Sequence, residues 1–376
     1  MDEVSHKVLI IVDDFRMGGI QRLALDQAYK LSDLDIKSEI LVLSPAPNSD
    51  ISTFAKAESS LILNRKIRIT YSIGNRLSQI LSLKKLIKEI GYNIIVAHSL
   101  RGAVAVKILS LLRVLECRVI IVIHQLPSLS APIQRTRRFV YSQFSDLLYS
   151  YSQAVVNDWE FRRRRNALIW ALTLRKSMSI CRNGIYLERL VELNAGVVSN
   201  FQKSFDSNPR LVFIGRLASW KGLAKFIEIA SMEELSAFDI LLVTPSLPVE
   251  FIELLETRFG KRASIEIGKS ISQIDFFATD LHLVPLNYGK NAVFIESISL
   301  TVLEMACMGI RSIISEGGNS TWPELKELGF VIEADWDNPI STANKILTLK
   351  SSIEEHKILE VRNLIDIKNN LSILLR

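Results

Sequence analysis

Residues 211–230 read Leu-Val-Phe-Ile-Gly-Arg-Leu-Ala-Ser-Trp-Lys-Gly-Leu-Ala-Lys-Phe-Ile-Glu-Ile-Ala. Leu211–Ile214 is a short, wholly apolar run, as expected of a strand covered on both faces, and Leu223–Ala230 has helical spacing. This strand, loop and helix make a second beginning. The first lies at Val8–Val12, followed by a helical stretch over Ile20–Leu31. From there strand-like runs at Glu39–Leu43, Ile94–Ala97, Val119–Ile123 and Leu147–Tyr149 alternate with helical patterns over Leu77–Ile90 and Gly102–Leu112. After the restart come strands at Ile240–Val243, Ile265–Ile267, Leu281–Val284 and Arg311–Ser315, with helices over Val249–Phe259, Ile271–Thr279 and Leu300–Met308. Two such series predict an α/β protein of two doubly wound domains facing across a cleft. The expected domains are 1–200 and 201–376, with polar Asn200–Pro209 as linker and a C-terminal helix from about 352 free to return to the N-terminal domain.

Composition narrows the class. The chain has 376 residues, 48% of them hydrophobic, with 16 Gly and 10 Pro, which excludes a disordered or collagen-like protein. Cys117, Cys181 and Cys307 are far apart and form no CxxC, so neither a disulfide scaffold nor a cysteine-rich zinc site is expected. The apolar run near the N-terminus is too short for a signal segment, and no stretch is long enough to span a bilayer, so the expected location is the cytoplasm. The net charge of +6 is uneven, at +11 over residues 1–200 and −5 over 201–376. A basic half suits an anionic partner.

In doubly wound sheets ligands gather at the carboxyl ends of strands, so the loops there hold the candidates. Gly18-Gly19 precedes the first helix; it either makes a tight turn or lets backbone amides approach an anion, and it is not a GxGxxG dinucleotide motif. Arg216 and Lys221 share the loop quoted above. They are either two solvated cations or a pair that holds a pyrophosphate, Arg by its planar fork and Lys as a point charge. The third loop runs Glu296-Ser-Ile-Ser-Leu-Thr-Val-Leu-Glu304-Met-Ala-Cys-Met-Gly309. Ser299 is a candidate helix cap, and the amides of Ser299, Leu300 and Thr301 could meet a phosphate. Glu296 and Glu304 could accept hydrogen bonds from sugar hydroxyls, or be a loop residue and a helix-dipole carboxylate.

The ordered set Gly215-Arg216, Lys221-Gly222 and Glu296-x7-Glu304 resembles the retaining GT-B glycosyltransferases, in particular family 4 (glycosyl transferases group 1). Gly18-Gly19, Ala97-His98-Ser99, Ile123-His124 and Arg182-Asn183-Gly184 fall in the family's order, and the resemblance covers nearly the whole chain. It implies a GT-B fold of two Rossmann-like domains and assigns roles. Gly18 and Gly19 would line the donor diphosphate. Arg216 and Lys221 would neutralise it as it leaves. Glu304 would bind the donor ribose, Glu296 the transferred sugar, and His124 would stand near that sugar. His98 matches a second, more variable histidine and is equally a core residue, while Asn183-Gly184 is architectural. Ser299 replaces the family's usual glycine, and Ile310-Arg311 its Pro-Val, which leaves Arg311 needing an outlet to solvent.

The implied activity is transfer of a sugar, a hexose by expectation, from a nucleotide-diphosphate donor with retention. The acceptor would be a glycan or lipid-linked molecule, in bacterial-type cell-surface polysaccharide or glycolipid synthesis. The competing class is a non-catalytic scaffold or sugar-nucleotide-binding subunit of the same fold. No cofactor and no metal are expected: the five histidines show no metal spacing, and the DxD strings Asp33-Leu-Asp35 and Asp335-Trp-Asp337 fall in polar connections. Arg135, Arg137, Arg138, Arg162, Arg163, Arg164 and Arg165, beside Phe139, Phe161 and Trp170, suit either a solvated helix face or docking on the anionic inner face of the plasma membrane. No nucleic-acid-binding module is legible, and no nucleic-acid partner is expected.

Overall fold

The computed structural model describes residues 6–46, 53–72, 74–112, 117–124, 146–149, 178–193, 208–218, 221–285, 299–316, 322–349 and 353–375. Glu296 and the arginines of 135–138 and 162–165 lie outside them. The chain forms two compact units. One takes residues up to Tyr186 together with Ile367–Arg376; the other lies within Leu187–Asp366. The division thus falls after Tyr186, where the sequence reading set it at 200.

The C-terminal helical stretch is broken in two, Glu355–Ile365 in the second unit and Ile367–Leu374 in the first. The break falls at Asp366, whose backbone is extended (φ −57°, ψ 131°). The next amide, of Ile367, then donates to the carbonyl of Ile185 at 2.9 Å.

The first unit is built on a parallel sheet of seven strands: β1 Lys7–Val12, β2 Lys37–Val42, β3 Arg68–Tyr71, β4 Ile94–Ala97, β5 Arg118–Ile123, β6 Asp146–Tyr149 and β7 Met178–Ile180. Their order is β3-β2-β1-β4-β5-β6-β7. Leu9, Ile11, Leu41, Ile95 and Ile121 face Leu83, Ile87, Val106 and Leu109 of the covering helices. The alternate residues Val8, Ile10, Ile40 and Ile120 are buried as well, so both faces are covered and the strands read as unbroken apolar runs. Local chemistry sets the helix ends. Asn75 accepts from the amides of Leu77 and Ser78 and so starts Arg76–Ile90, which Gly91 ends in the left-handed region (φ 72°). Ser99 caps Leu100–Leu111 through the Gly102 amide.

The second unit carries six parallel strands: β8 Arg210–Ile214, β9 Asp239–Thr244, β10 Ala263–Ile267, β11 Leu281–Val284, β12 Arg311–Ser315 and β13 Val331–Ala334, in the order β10-β9-β8-β11-β12-β13. The predicted helix over Ile271–Thr279 is a single 3-10 turn, Ile271–Gln273. Ser270 and Gln273 close a capping box around that one turn. Ile274 and Phe276 then bury beside Val212 and Met305, while the Asp280 carboxylate takes the Phe277 amide at 2.8 Å. In each sheet the strand order reverses once, between β1 and β4 and between β8 and β11, the topological switch where such sheets bind ligands.

Candidate functional site

In the second unit the switch lies between the loop after β8 and the end of β11. Gly222 joins them. It is left-handed (φ 74°, ψ 27°) at the start of the helix Leu223–Ala230, and a Cβ placed on it would lie 1.8 Å from the carbonyl oxygen of Pro285. Only a residue without a side chain lets the loop lie against the β11 backbone there. The loop is tightened by Ala218 N–H donating to Arg216 O and Lys221 N–H to Ala218 O, both at 2.8 Å. Arg216 is exposed, and Lys221 is half-buried. The charge of Lys221 reaches His282 of β11, which burial first and that charge second push down to about 3. His282 Nδ1 lies 2.9 Å from Ser312 Oγ, and its Nε2 meets no hydrogen-bond partner among the described residues.

Glu304 sits on the helix Leu300–Cys307 and is only 3% exposed. Its Oε1 accepts from Nη2 of Arg189 at 2.7 Å, and Arg189 is wholly buried. Arg189 comes from the helix Leu187–Leu193, which packs on the Ile271–Gln273 turn. Sequence reasoning missed it, because Leu-Glu-Arg-Leu-Val-Glu-Leu reads as an ordinary amphipathic turn with its charges outward.

Ser299 holds the N-cap position of the Glu304 helix with φ −60°, so serine is unstrained where the family usually has glycine. Its hydroxyl does not cap the helix but meets Thr301 Oγ1 at 2.8 Å. No acidic side chain occupies the first turn formed by Leu300 and Thr301. Arg311 finds its outlet half-buried, with Nε donating to the Gly329 carbonyl.

In the first unit Gly18 stands at the N-cap of Gly19–Asp33 with an extended backbone (φ −174°), so its conformation does not demand glycine. A Cβ there would crowd the movable end of the Gln21 side chain and touch the Arg16 carbonyl only at van der Waals distance, 3.9 Å. Across the same loop Asp14 accepts from Gln21 Nε2 at 2.9 Å and pairs with Arg16 at 2.7 Å. His98 follows β4 and His124 follows β5, and the structure brings them together: His98 Nδ1 and His124 Nε2 are 2.8 Å apart. Burial holds His98 well below the usual imidazole range, with His124 adding to the effect, and lowers His124 to about 4. The first DxD string runs from the last residue of the helix Gly19–Asp33 into a turn, and the second lies in a turn before Pro339–Thr348. Asp35 has φ 55° just beyond a helix end, and Asp337 is exposed and pairs with Lys225.

Because His98, His124 and His282 stay neutral in the fold, the unfolded chain takes up more protons below about pH 6.5. Stability therefore falls as the pH drops from about 6.5 towards their folded values, by roughly 1.4 kcal/mol per pH unit for each ring. Between pH 7 and pH 5 we expect His282 alone to account for roughly 2 kcal/mol of the loss. Urea unfolding of wild type and His282→Gln at the two pH values checks this; an identical pH dependence in both proteins contradicts it.

No protein-family model matches the chain, and no curated protein matches it. Solved structures do. HepE of Anabaena, crystallised with UDP-glucose, is 16% identical over 98% of both chains with a TM-score of 0.68. Sucrose-phosphate synthase of Thermosynechococcus elongatus is 14% identical over 98% of this chain and 96% of its own, with a TM-score of 0.68. A glycosyltransferase of Rickettsia africae is 14% identical over 99% and 97%, with a TM-score of 0.66. Two parallel α/β sheets in this order, matched along nearly the full length of such structures, give the chain the GT-B fold of glycosyltransferases.

Proposed function

We propose that the chain is a retaining glycosyltransferase that takes a sugar from a nucleotide-diphosphate donor and passes it to a glycan or lipid-linked acceptor, in cell-surface polysaccharide or glycolipid synthesis. The observation that carries this reading is the buried Glu304 carboxylate. It lies on the helix that follows β11 and is held by Arg189, in a fold that HepE uses with UDP-glucose bound. A carboxylate costs free energy to bury, and one fixed by a guanidinium can present its remaining lone pairs to a vicinal diol such as a ribose. Arg216 and Lys221 suit the diphosphate: their charges oppose the one that develops as the nucleotide departs, with no metal required in the proposed reaction. Glu296 keeps the sugar-binding role that the family resemblance implies, and His124 stands by the sugar. The basic segment at 135–165 remains the proposed membrane-facing part.

The test is a panel of UDP-, GDP- and ADP-sugars in a thermal-shift assay, followed by transfer assays with the base that binds. A donor at 100 times its Kd adds about 2.7 kcal/mol. No shift with any of them overturns the proposal. With the donor known, Arg216→Ala and Lys221→Ala are each expected to lower turnover on the order of 10²-fold, the size of removing one oxyanion-hole donor, with little change in Tm. Near-normal turnover in both removes the diphosphate assignment.

A further inference from the structure

Four side chains of the first unit, from distant parts of the chain, form one hydrogen-bonded line that ends on a group able only to accept, the carbonyl of Arg182. Asn370 Nδ2 donates to that carbonyl at 3.2 Å and to Cys181 Sγ at 2.9 Å. Its Oδ1 therefore accepts, from Gln27 Nε2 at 2.9 Å. Gln27 thus turns its Oε1 towards His98, and an amide oxygen cannot donate, so the proton lies on His98 Nε2, 2.8 Å away. His98 is 3% exposed, and its two ring nitrogens face an amide and a second imidazole. Charging a ring buried beside such neutral partners is unfavourable, and it stays neutral. A neutral ring with its proton on Nε2 has its lone pair on Nδ1, so the 2.8 Å contact to His124 is donated by His124 Nε2–H.

We infer that Asn370, Gln27 and His98 are positioning residues that hold His124 as the Nε2–H tautomer, so that any group meeting His124 Nδ1 has to donate a proton to it. The direction of every bond follows from one backbone carbonyl, and Asn370 on the C-terminal helix Ile367–Leu374 is the link that transmits it. Resting on the reading that His124 borders the transferred sugar, this makes the residue an acceptor for a sugar hydroxyl. It selects against a phosphate oxygen at that nitrogen, since both would offer only lone pairs.

The experiment reads the tautomers directly, with no ligand and no turnover. Protein labelled with 15N-histidine is studied by long-range 1H–15N correlation, with His98 and His124 assigned from His98→Gln and His124→Gln. In wild type both rings are expected to be protonated on Nε2 alone. In Gln27→Glu the new carboxylate stabilises a charged His98, which then donates from both nitrogens, and His124 is forced to exchange its proton from Nε2 to Nδ1. Asn370→Leu cuts the anchor and should leave His124 as a mixture of the two tautomers. Both variants are first checked for a native near-UV spectrum, and either one that folds suffices for the test. A wild-type His124 protonated on Nδ1 overturns the inference, as does an unchanged Nε2–H signal in a folded variant. Failure of the sugar-nucleotide panel would instead overturn the glycosyltransferase reading and leave the tautomer result standing.

Discussion

Replacing Arg189 with Met is expected to cost about 3–5 kcal/mol, the usual penalty for removing one partner of a buried ion pair. Arg189 is wholly buried and donates to Glu304 Oε1 at 2.7 Å, so truncation takes away the cation that offsets the burial of that carboxylate. The loss arises from what stays behind, and the double variant Arg189→Met/Glu304→Gln should therefore recover much of it, since replacing both members of a buried pair is often nearly neutral. Urea unfolding of the wild type, both single variants and the double variant forms the cycle. A coupling above about 2 kcal/mol is expected, and effects that add within about 0.5 kcal/mol would show that the pair does not act as a unit. The cycle also separates stability from binding. Glu304→Gln should weaken nucleotide diphosphate binding even where the double variant is as stable as wild type.

Gly222→Ala is the second large effect. The left-handed backbone at this residue costs an L-amino acid about 1–2 kcal/mol. The new Cβ would also lie 1.8 Å from Pro285 O, a backbone atom at the end of β11, the strand between β8 and β12. A flexible side chain could swing away; a carbonyl at the end of a paired strand cannot, and overpacking of this kind costs a further 1–3 kcal/mol or so. The sum, about 2–5 kcal/mol, should lower Tm on the order of 10 °C for a unit of this size. Gly329→Ala is the control. Its φ is 83°, also left-handed, but no atom of the described residues stands within 4 Å of the added Cβ, and only the conformational part should be lost. Equal losses in the two variants would mean that the contact with Pro285 contributes nothing. Activity should suffer in Gly222→Ala beyond its stability, because Lys221 is the preceding residue.

The alternation of strands and helices was legible from residue order, since a strand covered on both faces must be apolar at consecutive positions and helices between strands must carry a stripe. β1, β2, β4, β5 and β6 and their counterparts β8, β9, β10, β11 and β12 lie where those runs predict. β3, β7 and β13 were not found. β3 and β13 are the edges of their sheets, and β3 is half-buried or exposed along its length, so its sequence Arg-Ile-Thr-Tyr carries no apolar run. β7, Met-Ser-Ile, is an edge of only three residues. The helix predicted over Ile271–Thr279 failed for a related reason. Its apolar residues have helical spacing, but Ile274 and Phe276 bury themselves beyond the single turn, Ile274 from an extended backbone, which local periodicity does not distinguish.

The candidate site divides in the same way. That a strand ends at Ile214, that cations and glycines follow it, and that Glu304 lies on the helix after the strand Leu281–Val284 were all set by the sequence alone. These depend on neighbours a few residues apart, and so on local physics. The partners of those residues were decided only by tertiary structure. Arg189 reaches Glu304 across 115 positions, and Gln27 reaches Asn370 across 343. Neither pair leaves a trace in composition or spacing, because a hydrogen bond needs only that two groups be brought within about 3 Å, whatever chain lies between them. The break at Asp366 belongs to the same class. Nothing in its immediate neighbours forbids a continuous helix, and it was the carbonyl of Ile185, waiting for a donor, that took the Ile367 amide and returned the last helix to the first unit.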